Sequence, residues 1–207
     1  MSILRKRWMW GVLLLGMLVL AACSKPESSW SDDFSDPDSG WLAESDASAE
    51  VGYHDGVMRI LIKAPNSLAW ASAQRTFSNF HLTVEATQVA GPNDNEYGVL
   101  VRMQDVDHFY VFSISGDGYY LVNKYDGQSW EALSGEDWLP SDAINQGQAT
   151  NRLAVMCQGA DMTFIVNDVQ VAQVLDKAYS RGDVGLYAGS FFESDVEVHF
   201  DNLSVEP

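Results

Sequence analysis

Basic residues are scarce in this sequence: 12 Lys and Arg stand against 29 Asp and Glu in 207 residues, a formal net charge of −17 at pH 7. So negative a surface disfavours nucleic acid and anionic lipid headgroups, and suits solubility, divalent cations or neutral ligands. The acids are scattered through turns, as on a solvated surface. Histidine is equally thin. His54, His81, His108 and His199 lie far apart with no H-x-x-x-H spacing, so they form no metal-hydrolase motif, and no Ser-His-Asp set can be picked out. The chain also lacks a helix-length apolar period, a fixed-period repeat and any low-complexity tract.

What is present begins with an export signal. Arg5, Lys6 and Arg7 precede an apolar run over residues 8–22, too short for the ~20 residues of a spanning helix. It ends in LAAC at 20–23, which resembles the lipobox of bacterial lipoproteins. That resemblance implies removal of residues 1–22 and acylation of Cys23, and more than one acyl chain anchors stably at ~0.8 kcal/mol per buried CH₂. The expected partner is therefore a membrane, through lipid. Ser24 after the cysteine implies the outer membrane in a two-membrane bacterium, and otherwise the outer face of the cytoplasmic membrane. With Cys23 acylated only Cys157 remains, so no intramolecular disulfide forms and the core must carry the stability. Cys157 has no neighbouring histidine and reads as a small buried hydrophobe.

Residues 23–31 form a polar tether, and 32–206 are long enough for one domain with a sizeable core. The stretch 32–40 (DDFSDPDSG) is acidic and turn-rich but lacks the register of an EF-hand loop. The centre of the domain is 98–133. Residues 98–103 alternate, with Val99, Val101 and Met103 on one face and Leu100 and Arg102 on the other. After a turn at 104–107, 108–115 is a second strand, and Gly116-Asp117-Gly118 closes a hairpin into 119–125. Other strands are expected at 57–63, 68–73, 80–90, 151–158, 162–166, 169–174, 182–190 and 195–205, with hairpin turns at Asp55-Gly56 and Asn167-Asp168. Segments 41–50, 91–96 and 134–147 read as loops. Many short strands at close spacing mean an all-β sandwich, jelly roll or barrel.

The motifs GVLVR at 98–102, HFYVF at 108–112, GYY at 118–120, NRL at 151–153, NDV at 167–169, GDVGLY at 182–187 and FDNLSV at 200–205 together resemble the concanavalin A-like lectin and glucanase superfamily. The similarity covers about residues 30–206. It points to modules grouped with family 16 glycoside hydrolases and keto-disaccharide hydrolases, and implies a two-sheet antiparallel jelly-roll sandwich whose concave face binds sugar. Sugars need stacking surfaces for their C–H faces and polar groups for their hydroxyls. If Val99, Val101 and Met103 face the core, Arg102 faces the concave side with Ser113, and Tyr120, Lys124 and Trp130 complete a groove. The parity of 119–125 leaves open which face is inside. Trp70, Tyr120 and Trp130 equally suit ordinary core packing, and Arg102 a surface ion pair.

Retaining glycosidases hold two carboxyl groups ~5–5.5 Å apart. The single E-x-D-x-E pattern here is Glu193, Asp195 and Glu197, which opens the last strand rather than a mid-chain one, and reads as a solvated acidic face. Three functions follow as expectations: a membrane-tethered carbohydrate-binding module without catalysis, a glycoside hydrolase, or an envelope protein-interaction module. Relatives with this fold imply a structural calcium ion held by Asp201, the Gly56 carbonyl and a carbonyl near Asp33 or Phe34. Local hydrogen bonding of Asp201 is the competing explanation.

Overall fold

Alternating apolar and polar side chains form short antiparallel strands throughout, with no helix among residues 28–207, the part described in this computed structural model. The signal segment, Cys23 and the first part of the tether lie outside the described residues. The first third of the chain gives β1 (Trp30–Asp32), β2 (Leu42–Ala43), β3 (Ala49–His54), β4 (Val57–Ile62), β5 (Ser67–Phe77) and β6 (Phe80–Ala90). The middle gives β7 (Asn95–Asp105), β8 (His108–Ile114), β9 (Tyr119–Asp126), β10 (Trp130–Ala132) and β11 (Leu139–Pro140). The last part gives β12 (Thr150–Gln158), β13 (Asp161–Val166), β14 (Val169–Leu175), β15 (Gly182–Ser190) and β16 (Val196–Glu206).

These strands build two sheets. The first runs β14-β13-β12-β6-β16-β4-β3, with β1 beside β16; the second runs β10-β9-β8-β7-β15-β5-β2, with β11 beside β9. Sequence neighbours such as β4 and β5 sit in opposite sheets, and chain-distant pairs such as β6 with β16 lie side by side. This is the jelly-roll sandwich. Both two-residue turns foreseen in the sequence are built from paired positive-φ residues, Asp55 with Gly56 and Asn167 with Asp168, the geometry that matches strand twist in hairpins.

Alternation sets the core. Met58, Ile60 and Ile62 of β4 and Met162, Phe164 and Val166 of β13 are fully buried. They face Val99, Val101 and Phe112 of the second sheet, and the rings of Phe112 and Phe164 meet edge to face at 5.6 Å. Each such side chain contributes about 1.5–3 kcal/mol relative to exposure. Cys157 lies buried among them, and burial pushes its thiol up to about 12.

Three expectations are corrected. The 41–50 segment contains β2 and the start of β3, and β7 begins at Asn95 rather than at Gly98. Two-residue strands such as β2 and β11 have no periodicity to read; their pairing to β5 and β9 makes them strands. The third correction concerns faces. The β7–β8 register shifts between Val101 and Asp105, and Arg102 has φ 53°, so a bulge interrupts the alternation there. Val99 and Val101 face the core as expected, but Arg102 turns inward and Met103 outward. The approach of β15 at this bulge is so close that a Cβ at Gly182 would lie 2.4 Å from the Arg102 carbonyl carbon.

Candidate functional site

Residues of the second sheet that alternate away from the main core would normally meet water. Here they build a second apolar cluster: Leu100, Phe109, Val111 and Tyr187 are buried, with Trp70, Met103 and Tyr125 packed against them. Phe109 is the hub, with ring centroids 6.3 Å from Trp70, 5.6 Å from Tyr125 and 5.8 Å from Trp130. Tyr125 and Trp130 lie 4.8 Å apart. An aromatic strip thus crosses the outer face of the sheet from β5 to β10. Trp130 remains 45% exposed at its end.

Beside the strip is a depression of about 210 Å³ walled by Trp130, Trp138, Tyr187 and Phe191, with Glu96 and Asn123 among its lining. Trp138 and Phe191 come from loops and meet edge to face at 6.0 Å. Gly189 pairs with Glu96 across β15 and β7, and Gly98 pairs with Tyr187 one step on, so two positions of the floor carry no side chain. A Cβ on Gly189 would stand 2.8 Å from Glu96 Oε1 and 2.9 Å from its Cγ. The carboxyl occupies the space that glycine leaves.

Glu96 is half-buried and accepts a hydrogen bond from Tyr187 Oη at 2.7 Å. Burial pushes its pKa up, and the Tyr187 bond offsets only part of that rise. The Tyr187 hydroxyl is itself driven well above its usual value by burial and by the neighbouring carboxyl. A carboxylate has about four acceptor sites, so most of its hydrogen-bonding capacity faces the depression. The Asn123 amide forms no hydrogen bond among the described residues. Rings for C–H faces and a carboxyl and an amide for hydroxyls are the set a saccharide requires.

Of the residues foreseen for ligand binding, Trp130 alone lines this depression. Ser113 lies on the same face but is buried, donating to the Leu121 carbonyl at 3.3 Å. Arg102 is corrected outright: it is 0% exposed inside the sandwich, donating to the carbonyls of Tyr179 at 3.2 Å and Ser78 at 3.0 Å. Tyr120 and Lys124 share the inward parity of Val122, which pairs with core Phe112. Tyr120 packs on the core, and Lys124 is held by Glu131 at 2.7 Å and Asp176 at 3.0 Å. Glu197 points from the first sheet's outer face to Arg59 at 3.0 Å and His199 at 2.7 Å, and Asp195 precedes β16. None of the three acids lines the Glu96 depression.

The residues foreseen for calcium do converge. Leu203 pairs with Asp32 and Phe200 with Met58, which brings Asp33, Gly56 and Asp201 to one corner of the first sheet. Their carboxyls are engaged locally: Asp201 accepts from the Asn202 amide at 2.7 Å, and Asp33 from the Ser35 amide and hydroxyl. Among the described residues no three metal-ligating side chains gather. The fit to calcium is therefore poor: fewer than three acidic side chains are offered where about 6 to 8 oxygen ligands are wanted.

With this geometry in hand, residues 29–206 match the model of the 3-keto-alpha-glucoside-1,2-lyase-like domain. The chain belongs to that family. No curated protein matches it. Among solved structures, this family member shares its fold with the carbohydrate binding module CBM66 from Bacillus subtilis (TM-score 0.57, 16% identity, 82% of this chain and 96% of that one). A Bacillus licheniformis beta-glucanase matches at TM-score 0.66 and 11% identity, over 88% of this chain and 100% of the other. A beta-1,3-1,4-glucanase derived from a mouse hindgut metagenome matches at 0.67 and 12%, over 87% and 100%. The domain thus shares the jelly-roll fold of these structures.

Proposed function

We propose that the domain binds a saccharide in the depression around Glu96, Asn123, Trp130, Trp138 and Tyr187. The observation that carries this is one carboxyl with spare acceptor capacity, recessed among aromatic rings over a glycine-opened floor. Lipid on Cys23 holds the domain to a membrane outside the cytoplasm, as the 20–23 motif implies. Mass spectrometry of the purified protein then finds an acylated Cys23 as the first residue; an unmodified cysteine contradicts the anchor. The binding test is a glycan array probed with the full chain in detergent. Wild type binds at least one saccharide class, and Trp130→Ala and Trp138→Ala each weaken it while the melting temperature holds. Equal loss of binding and stability would make these rings scaffold.

A second reading is favoured by the raised proton affinity of Glu96. Hydrolysis with retention needs two carboxyl groups at close spacing, whereas one carboxyl lines this depression. A 1,2-elimination from a 3-keto-glycoside needs one base, because the ketone acidifies the C2 proton. Glu96 takes that proton, the C–H electrons form the C1–C2 double bond, and the C1–O bond breaks with the aglycone leaving as alkoxide, which takes the proton back from Glu96 and restores the carboxylate. No electron acceptor is required. A base of raised pKa suits proton transfer near neutrality. Release of the alcohol from a synthetic 3-keto-glucoside, abolished in Glu96→Gln, supports this reading; turnover unchanged in that variant removes it.

A further inference from the structure

The Glu96 depression does not stand alone. Trp138 and Phe191 also wall a second depression of about 190 Å³ beside Asp117 and Tyr119. On the other side Leu68 is shared with a third, about 470 Å³, walled by Trp70, Leu42 and Val106, with the Gln74 and Gln104 amides at its edge. The three follow β5 and β7. Asp94 lines one end, Glu96 the middle and Met103 the other, a span of ~30 Å at ~3.3 Å per residue. Each contains at least one indole or phenol ring, and Trp70 and Trp130 bracket the aromatic strip that joins them.

The charge of this line is one-sided. Carboxylates line all three depressions: four in the Trp70 depression, one in the middle and two beside Tyr119. Lys, Arg and His line none of them. A polyuronate or sulfated glycan would meet like charge along its whole length, which discriminates against it by repulsion. A single sugar ring fills only the smallest part of the line.

Building on the saccharide-binding reading, we infer that the ligand is a glycan chain of several residues without acidic groups, laid along β5 and β7 from the Trp138–Phe191 pair to a distal subsite at Trp70. The distal subsite takes its sugar on the Trp70 ring, with the Gln74 and Gln104 side-chain oxygens as acceptors for hydroxyls, since their amide nitrogens already donate to Ser72 Oγ and the Arg102 carbonyl. Affinity therefore grows with chain length, and the growth depends on Trp70.

The test uses the full chain against linear neutral glucans, mannans and xylans graded from monosaccharide to hexasaccharide, with oligogalacturonates of matched length. The expected result is a gain of at least about tenfold between disaccharide and hexasaccharide, no binding of oligogalacturonate, and loss of the length gain in Trp70→Ala with disaccharide affinity unchanged. Trp70 packs on Phe109, so Leu42→Ala, on the exposed rim, supplies a second variant that removes contact without touching the cluster. Affinity independent of length, preferred binding of oligogalacturonate, or a length gain intact in both variants overturns the distal subsite while the Glu96 pocket stands. Binding of no saccharide at any length overturns the pocket reading as well.

Discussion

Glu96→Gln makes the protein more stable at neutral pH and no more stable in acid. The carboxyl has one protein donor, the Tyr187 hydroxyl at 2.7 Å, and lines a depression with Leu68, Asn123, Trp130, Trp138 and Phe191. Burial raises its pKa above the ordinary value near 4.3. The native state therefore holds this proton more tightly than the unfolded chain does. Between about 4.3 and the raised folded value, folding takes up a proton, so stability falls as pH rises through that window and stays lowered above it. Gln keeps an acceptor for Tyr187 and cannot ionise. The relief at pH 7 is on the order of 1–3 kcal/mol, the usual cost of a buried polar group lacking partners. At this chain length, that is a rise of ~2–10 °C in melting temperature. The assay is a set of thermal melts of both proteins from pH 4 to pH 8. The difference should vanish near pH 4 and grow to a plateau above the folded pKa. A difference independent of pH, or a less stable variant at pH 7, refutes the assignment of Glu96 as an under-partnered carboxyl. Ligand binding falls in the same variant, the trade-off expected when a destabilising group is kept for function.

Other perturbations have equally definite outcomes. Gly189→Ala places a methyl against the Glu96 side chain, so saccharide affinity should fall about tenfold, the worth of one charge-assisted hydrogen bond, while the melting temperature moves by only a few degrees; unchanged affinity would contradict the contact. Arg102→Ala removes two buried donors and leaves a cavity, costing about 2–4 kcal/mol in urea unfolding, and a loss under ~0.5 kcal/mol would contradict the role. Cys157, buried with its thiol pushed up to about 12, should resist thiol reagents until guanidinium unfolds the chain; rapid native labelling would show an opening the packing forbids. Fewer than three acidic side chains gather at the Asp33–Asp201 corner, so calcium in place of chelator leaves the melting temperature unchanged. A rise of several degrees, abolished by Asp201→Asn, would place an ion there after all.

The strands that could be read from sequence are those whose two-residue period lasts. Residues 57–63 and 151–158 alternate because one face packs on the core, and both form strands at nearly those limits. The hairpins at 55–56 and 167–168 were legible from residues that tolerate positive φ. Alternation failed at Arg102, because a bulge exchanges the two faces without any change in the apolar pattern. The parity of β9 was ambiguous by itself, since aromatics occur on both faces, and only its pairing with β8 places Tyr120 and Lys124 inward. Glu96 was hidden by taking 91–96 as loop; extending the alternation of 98–101 back through Tyr97 would have set it on the face of Leu100. Trp138 and Phe191 lie in loops, where no periodicity reports direction. Their meeting across the depression is a product of tertiary structure alone.

The most direct measurement is a crystal structure of the complex with the tightest-binding saccharide from the array. The account predicts a sugar ring against Trp130 or Trp138 on the outer face of the second sheet, with a hydroxyl donating to Glu96 and another group bonded to Asn123. A saccharide seated elsewhere, on the first sheet near Arg59 or on the Tyr120 side of β9, with the Glu96 depression left to water, would contradict it.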